Sequence, residues 1–218
     1  LLRPDLADII GAAAAAGLAV TLVTNGILLT VERADQLAAA GLKTLVLSLD
    51  TLEAQLYHRL RGVGAARPVT AFRELQAHRR GHGSIPRVVV NAVLTRANYD
   101  RLLAHFEALL EDLLLQDTLM VQAYQPPPNP GPADAPLRFR PEDLGALEAL
   151  CTELAARQRA GWPFGNAPEL LARRQARQAD LDRPHSRVPR GVQLEHLQAL
   201  FLLAAADELA AVLVQVEH

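Results

Sequence analysis

Two stretches decide the fold: Leu18-Ala19-Val20-Thr21-Leu22-Val23-Thr24-Asn25-Gly26, then Thr44-Leu45-Val46-Leu47-Ser48-Leu49-Asp50. Each is a nearly unbroken apolar run whose last residues turn polar, the pattern of a buried strand in a parallel sheet covered by helices. An Ala-rich helix from Asp5 to about Ala16 precedes the first and is closed by Gly17; residues 33–40 form the helix between them, closed by Gly41. Strand–helix–strand units of this kind cross over right-handedly and build a parallel sheet. Ligands in such folds bind at the carboxyl ends of the strands, which is where Thr24, Asn25, Ser48 and Asp50 fall.

The alternation continues. Residues 52–60 read as a short helix running into the turn Arg61-Gly62-Val63-Gly64, and 68–80 as a longer helix ending in Gly81-His82-Gly83. A third strand, 86–95, carries Asn91; residues 99–115 are helical; 118–124 form a fourth strand, followed by Gln125. Residues 125–136 are too rich in proline for regular structure. Beyond them the pattern predicts one amphipathic helix over 141–159, an Arg-rich one over 167–179, a polar linker over 180–190 and a helical run over 194–216. No strand pattern follows Tyr124. The expected organisation is therefore a β/α unit at 1–126, a Pro-rich linker at 127–140 and a helical extension at 141–218.

The polar strand ends are the candidate site. Thr24 and Asn25 offer a hydroxyl and an amide where Gly26 lets the chain turn, although Asn-Gly is also an ordinary turn dipeptide. Ser48 and Asp50 share a strand face with Val46, opposite Leu47 and Leu49. A buried Ser or Asp costs on the order of 1–3 kcal/mol unless bonded, so a ligand hydroxyl or amine is one partner to expect. Asp50 capping the following helix is the simpler alternative, and the two roles can coexist. Asn91 sits mid-strand, where asparagine is disfavoured, and needs a partner; a polar group on a neighbouring strand would serve.

Composition narrows the classes. The chain has 218 residues, half of them hydrophobic, and a formal net charge of -2, with Lys43 its only lysine. That field invites neither nucleic acid nor an anionic membrane. Cys151 is the only cysteine, which excludes an internal disulfide and a self-contained thiolate site for zinc or iron–sulfur, and is in keeping with a reducing cytoplasm. Cys151 itself reads as a small buried hydrophobe near Leu147, Leu150 and Leu154. His78 and His82, with Arg79 and Arg80, fall at a helix C-terminus, where positive charge complements the dipole. No membrane span, signal peptide, phosphate loop, nucleophile elbow or zinc-ligand helix is present in the sequence. The first residue is Leu and the only methionine is Met120, so the chain reads as a fragment with a start further upstream.

In order and spacing, Leu1-Leu2-Arg3-Pro4-Asp5-Leu6, Thr24-Asn25-Gly26, Leu47-Ser48-Leu49-Asp50, Tyr57-His58-Arg59-Leu60-Arg61-Gly62 and Val90-Asn91-Ala92-Val93 through Asn98 resemble the landmarks of the radical S-adenosylmethionine (radical SAM) superfamily over residues 1–126. The resemblance implies an α/β fold, a partial (β/α)6 TIM-like barrel of parallel strands with four strands present. It also implies S-adenosylmethionine and a 4Fe-4S cluster as cofactors, a hydrogen-abstracting reaction, a small-molecule or peptide substrate, and an electron donor such as flavodoxin or ferredoxin. Carried over by position, Ser48 would bond the cofactor's amino-acid end and Asn91 its ribose. Thr24, Asn25 and Asp50 would line the site, and Gln125 would lie beside the adenine.

The CxxxCxxC motif and the Gly-Gly-Glu-Pro motif of the superfamily belong upstream of Leu1 and are absent, so the chain alone is expected to be inactive. Val89 stands where members acting on a nucleoside triphosphate place lysine, and the further cysteines of SPASM-like, peptide-modifying members are missing. The alternatives are a clusterless barrel kept as a binding module, an inactive truncated product, and an unrelated (β/α)8 hydrolase or aldolase fragment. With two barrel strands missing, the apolar edge of the first strand is expected to be unpaired.

Overall fold

Thr30 begins the second helix by accepting a hydrogen bond from the Arg33 backbone N–H at 3.2 Å, so that helix starts at Val31 rather than at residue 33. It ends against Gly41, whose φ of +107° and close approach to Ala14, with a built Cβ only 2.6 Å from the Ala14 Cβ, admit no side chain. The computed structural model describes residues 1–62, 64, 66–82, 86–127, 131–165 and 211–214. Within them the order is α1 (Leu6–Ala15), β1 (Ala19–Thr24), α2 (Val31–Ala39), β2 (Leu42–Ser48), α3 (Ala54–Arg61), α4 (Ala66–His82), β3 (Arg87–Leu94), α5 (Leu102–Leu110), β4 (Thr118–Ala123), α6 (Leu144–Arg159) and β5 (Ala211–Val214). Single 3-10 turns at Tyr99–Arg101 and Pro141–Asp143 lead into α5 and α6.

The strands form one open parallel sheet in the order β4-β3-β2-β1-β5, so β1 to β4 lie side by side in chain order. Its two faces differ. Val20, Leu22, Leu45, Leu47, Val88, Val90, Leu94, Leu119 and Val121 are buried, in one apolar cluster with Leu6 and Ile10 of α1, Leu37 of α2, Phe72 of α4 and Phe106 of α5. Removing such side chains from water supplies the main driving force, about 1.5–3 kcal/mol for each Leu or Val. Thr21, Val23, Thr44, Val46, Ser48, Asn91, Val93, Met120 and Gln122 alternate with them and keep partial exposure. This open face carries the polar residues Ser48, Asn91 and Gln122. Leu147, Leu150, Cys151 and Leu154 of α6 join the same cluster, in keeping with the reading of Cys151 as a buried apolar group.

Several sequence-based expectations are corrected. Arg79 is not a surface cation at a helix end: it is buried, and its Nη1 donates to both carboxylate oxygens of buried Asp117 at 2.7 and 2.8 Å. Asp117 also accepts from Gln76 at 2.6 Å and from the backbone N–H groups of Val88 and Leu114, so the pair pins α4 to the starts of β3 and β4. Among its described residues the Pro-rich segment contains the 3-10 turn Pro132–Asp134, held back toward β4 by the Tyr124 hydroxyl, which donates to Asp134 Oδ1 at 2.5 Å. Residues 211–214, inside the stretch read as helical, are the strand β5. They pair with β1 from Ala19 to Leu22, so part of the edge expected to be bare is covered. The helix expected over 167–179 lies outside the described residues.

Candidate functional site

Register places the polar residues. Ser48 at the end of β2 pairs with Asn91 of β3, and Asn91 pairs with Met120 of β4. One step further along β4, Gln122 stands opposite Val93, and its Oε1 accepts a hydrogen bond from Asn91 Nδ2 at 3.1 Å. Ser48, Asn91 and Gln122 therefore form a polar row across three neighbouring strands on the open face. Asparagine mid-strand is tolerated because the row supplies its partner.

The row is not satisfied by protein alone. Asn91 Oδ1 is buried and has no hydrogen-bond partner, and no hydrogen bond reaches the Ser48 hydroxyl among the described residues. A buried acceptor left unmade costs about 1–3 kcal/mol, a cost that a donating partner would offset.

Thr24 and Asn25 work differently. Thr24 is in register with Leu47, which places it by alternation on the helix-covered side, and its Oγ1 accepts from the Gly26 N–H at 3.1 Å. Asn25, one step on, accepts from the Ile27 N–H through Oδ1 at 3.1 Å. Both side chains shape the turn at the strand end. Gly26 lies inside that turn with φ +78°, and a built Cβ would stand 2.6 Å from Leu47 Cδ1. The turn is thereby seated directly on the core beneath Ser48.

Asp50 does not cap α3, whose N-cap is Glu53 without a side-chain bond. It is buried, and its carboxylate receives Arg61 Nε at 2.6 Å, Arg61 Nη2 at 2.9 Å and the Val93 N–H at 2.8 Å. One carboxylate so ties the end of β2 to the last turn of α3 and to β3 two residues past Asn91. Asn98 completes the brace, donating to the Val93 and Asp50 carbonyls at 2.9 and 3.3 Å and accepting from the Thr95 N–H at 2.8 Å. Gln125 is exposed just beyond β4, on the other side of the alternation from Gln122 and Tyr124.

Two groups flank this frame. His105 of α5 is buried beneath it and hydrogen-bonds the Leu49 carbonyl through Nε2 at 2.8 Å, so Nε2 carries the proton. Burial lowers its pKa to about 4, against the smaller opposing effect of the Leu49 bond, and the ring is neutral. Burial, followed by the bond to Asp134, raises the Tyr124 phenol to about 12.

Ser48 and Asn91, singled out from the sequence, stand side by side in register, while Gln122, Arg61 as the partner of Asp50, and His105 were not singled out. The alternation Met120, Gln122, Tyr124 in β4 was the available signal for Gln122. The sequence held nothing comparable for His105, whose partner is a backbone carbonyl 56 residues away.

The residues present fit S-adenosylmethionine in part, through the orphaned Asn91 acceptor and the unbonded Ser48 hydroxyl, which suit a ligand rich in hydroxyl and ammonium donors. They do not fit a 4Fe-4S cluster. Cys151 is buried in α6, and among the described residues no three His, Cys, Asp or Glu side chains come together.

Residues 1–109 match the family model described as the Radical SAM superfamily. The chain is 40% identical over 111 residues to a protein of Ruegeria pomeroyi named PqqA peptide cyclase, across 50% of this chain and 28% of that protein. It is 42% identical over 66 residues to the AdoMet-dependent heme synthase of Methanosarcina barkeri, across 30% of this chain and 19% of that one. The matched stretch thus spans less than a third of either relative. The fold resembles Streptococcus suis SuiB bound to S-adenosylmethionine, with a TM-score of 0.55 at 22% identity over 75% of this chain and 34% of SuiB.

Proposed function

The chain belongs to the radical SAM superfamily, and from that membership we propose that its open sheet face is the S-adenosylmethionine side of a radical enzyme's active site, with residues 1–126 as the barrel segment. The observation that carries this reading is the buried, partnerless Asn91 Oδ1 standing in register with the unbonded Ser48 hydroxyl. Bound S-adenosylmethionine supplies the hydrogen-abstracting chemistry of such enzymes; the chain's own residues bind and orient it. Ser48 offers a hydroxyl to the amino-acid end, Asn91 accepts from a ribose hydroxyl, Asn25 stands at the β1 end of the row, and Gln125, in the segment after β4, is assigned to the adenine side. Thr24 and Asp50 act through the backbone, by shaping the turn and by bracing β2 against β3.

For a cluster, the described residues offer one buried thiol and no group of three ligating side chains. We assign the protein an electron donor such as flavodoxin or ferredoxin and a cytoplasmic setting. No described helix is long and apolar enough to cross a membrane. A peptide is the substrate class favoured, since the relative at 40% identity is named a peptide cyclase.

Equilibrium dialysis of the full chain with S-adenosylmethionine tests the site. Ser48→Ala and Asn91→Ala should each weaken uptake about tenfold, the value of one hydrogen bond to a buried polar partner. Uptake unchanged in both variants would overturn the assignment.

A further inference from the structure

We propose that the bond from Tyr124 to Asp134 latches a strap, residues 131–143, that gates the open face at the ends of β3 and β4. The inference rests on the site reading above and adds control of access to it. Tyr124 is the fixed post. Its backbone N–H donates to the Leu94 carbonyl at 3.1 Å, which carries the β3–β4 ladder one residue past Ala123. Ala123 faces the core, so Tyr124 falls by alternation on the open face with Gln122. From there the strap crosses to the neighbouring strand. The Arg96 N–H, just past β3, donates to the Leu137 carbonyl at 3.0 Å, and the buried Phe139 ring meets Tyr99 edge-on. The strap therefore spans the ends of the two strands that carry Asn91 and Gln122.

Its two halves are held unequally. Residues 137–143 are anchored by the Leu137 carbonyl, by Phe139 and by the ion pair of Asp143 with Arg96 at 2.6 Å. In the other half Gly131, Pro132, Ala133, Ala135 and Pro136 are exposed, and Asp134 alone is partly buried. Its carboxylate makes both of that half's side-chain bonds: Oδ1 accepts from the Tyr124 hydroxyl at 2.5 Å and Oδ2 from the Gly131 N–H at 2.8 Å. The bond that ties the turn to β4 therefore also steadies the turn's own shape. Burial holds the Tyr124 phenol at about 12, so the latch keeps its donor proton at neutral pH. Breaking this one bond frees residues 131–136 while 137–143 stay seated, and the strap opens from its β4 end.

Amide hydrogen exchange of the full chain without ligand tests the latch. Tyr124→Phe keeps the ring and removes the donor, so exchange at Gly131 and Leu137 should quicken about tenfold, with Arg96 and Asp143 unchanged. In an Asp134→Ala background, Tyr124→Phe should quicken Leu137 no further. Unchanged exchange in Tyr124→Phe, or equal quickening at Arg96, overturns the latch. Release of bound S-adenosylmethionine into excess S-adenosylhomocysteine tests the gate, and Tyr124→Phe should release it about tenfold faster than wild type. Quickened amide exchange with unchanged release overturns the gate. A chain whose turn responds as described but that takes up no S-adenosylmethionine overturns the site reading instead.

Discussion

Asp50 and Arg61 meet as a two-pronged ion pair, Nε to Oδ2 at 2.6 Å and Nη2 to Oδ1 at 2.9 Å, although 11 residues and a helix separate them. The carboxylate is nearly buried and the guanidinium about one-third exposed, with side-chain exposures of 5% and 30%. The pair closes the β2–α3 corner, and Asp50 also accepts from the Val93 N–H.

Removing the two partners should therefore have unequal effects. Asp50→Ala strands both the Val93 N–H and Arg61, at a cost of about 3 kcal/mol. Arg61→Ala leaves Asp50 one backbone donor and some solvent, at about 1 kcal/mol. Urea unfolding of both variants checks this. Equal costs would mean that the Val93 bond contributes nothing.

Gly26 should be intolerant of alanine for two separable reasons. The left-handed φ of +78° costs a side chain about 1–2 kcal/mol, and the Cβ collides with Leu47 Cδ1 at 2.6 Å, adding a further ~1–3 kcal/mol. Trimming the neighbour isolates the second part. In a Leu47→Ala background Gly26→Ala should cost only the strain, measured as the coupling in a double-mutant cycle. Strictly additive costs would remove the contact from the explanation.

His105 makes stability depend on pH. Its folded pKa, about 4, lies below the usual 6.5, so the unfolded chain binds the proton more readily. The contribution is fully present above pH 6.5 and is lost as pH falls toward about 4, on the order of 3 kcal/mol in all. His105→Phe should be less stable at neutral pH, having lost the bond to the Leu49 carbonyl. Its stability should also fall less steeply between pH 6.5 and 4. A slope equal to that of wild type would place the acid sensitivity elsewhere.

How much of this was legible in the sequence depends on the range of the forces involved. The strands β1 to β4 and the helices between them were readable because apolar runs and helix-ending Gly17, Gly41 and Gly62 are local signals. Ser48 and Asn91 were readable because each is polar within an apolar strand. Arg79 misled, since a cation at a helix end matches a common surface pattern, while its real partner, Asp117, is 38 residues away. Strand β5 misled as well: Ala211-Val212-Leu213-Val214 suits helix or strand locally, and pairing with β1 decides it. Gln122 was visible as a polar residue in a strand, but its meaning required the register that brings it to Asn91.

The most direct test of the cofactor face is an NMR titration of the full chain with S-adenosylmethionine, followed at assigned backbone and side-chain amides. The expected result is a saturable shift concentrated at Asn25, Ser48, the Asn91 side chain and Gln122, with little change on α1, α2 or α6. Shifts that instead map to the helix-covered side, or no shift at millimolar ligand, would contradict it.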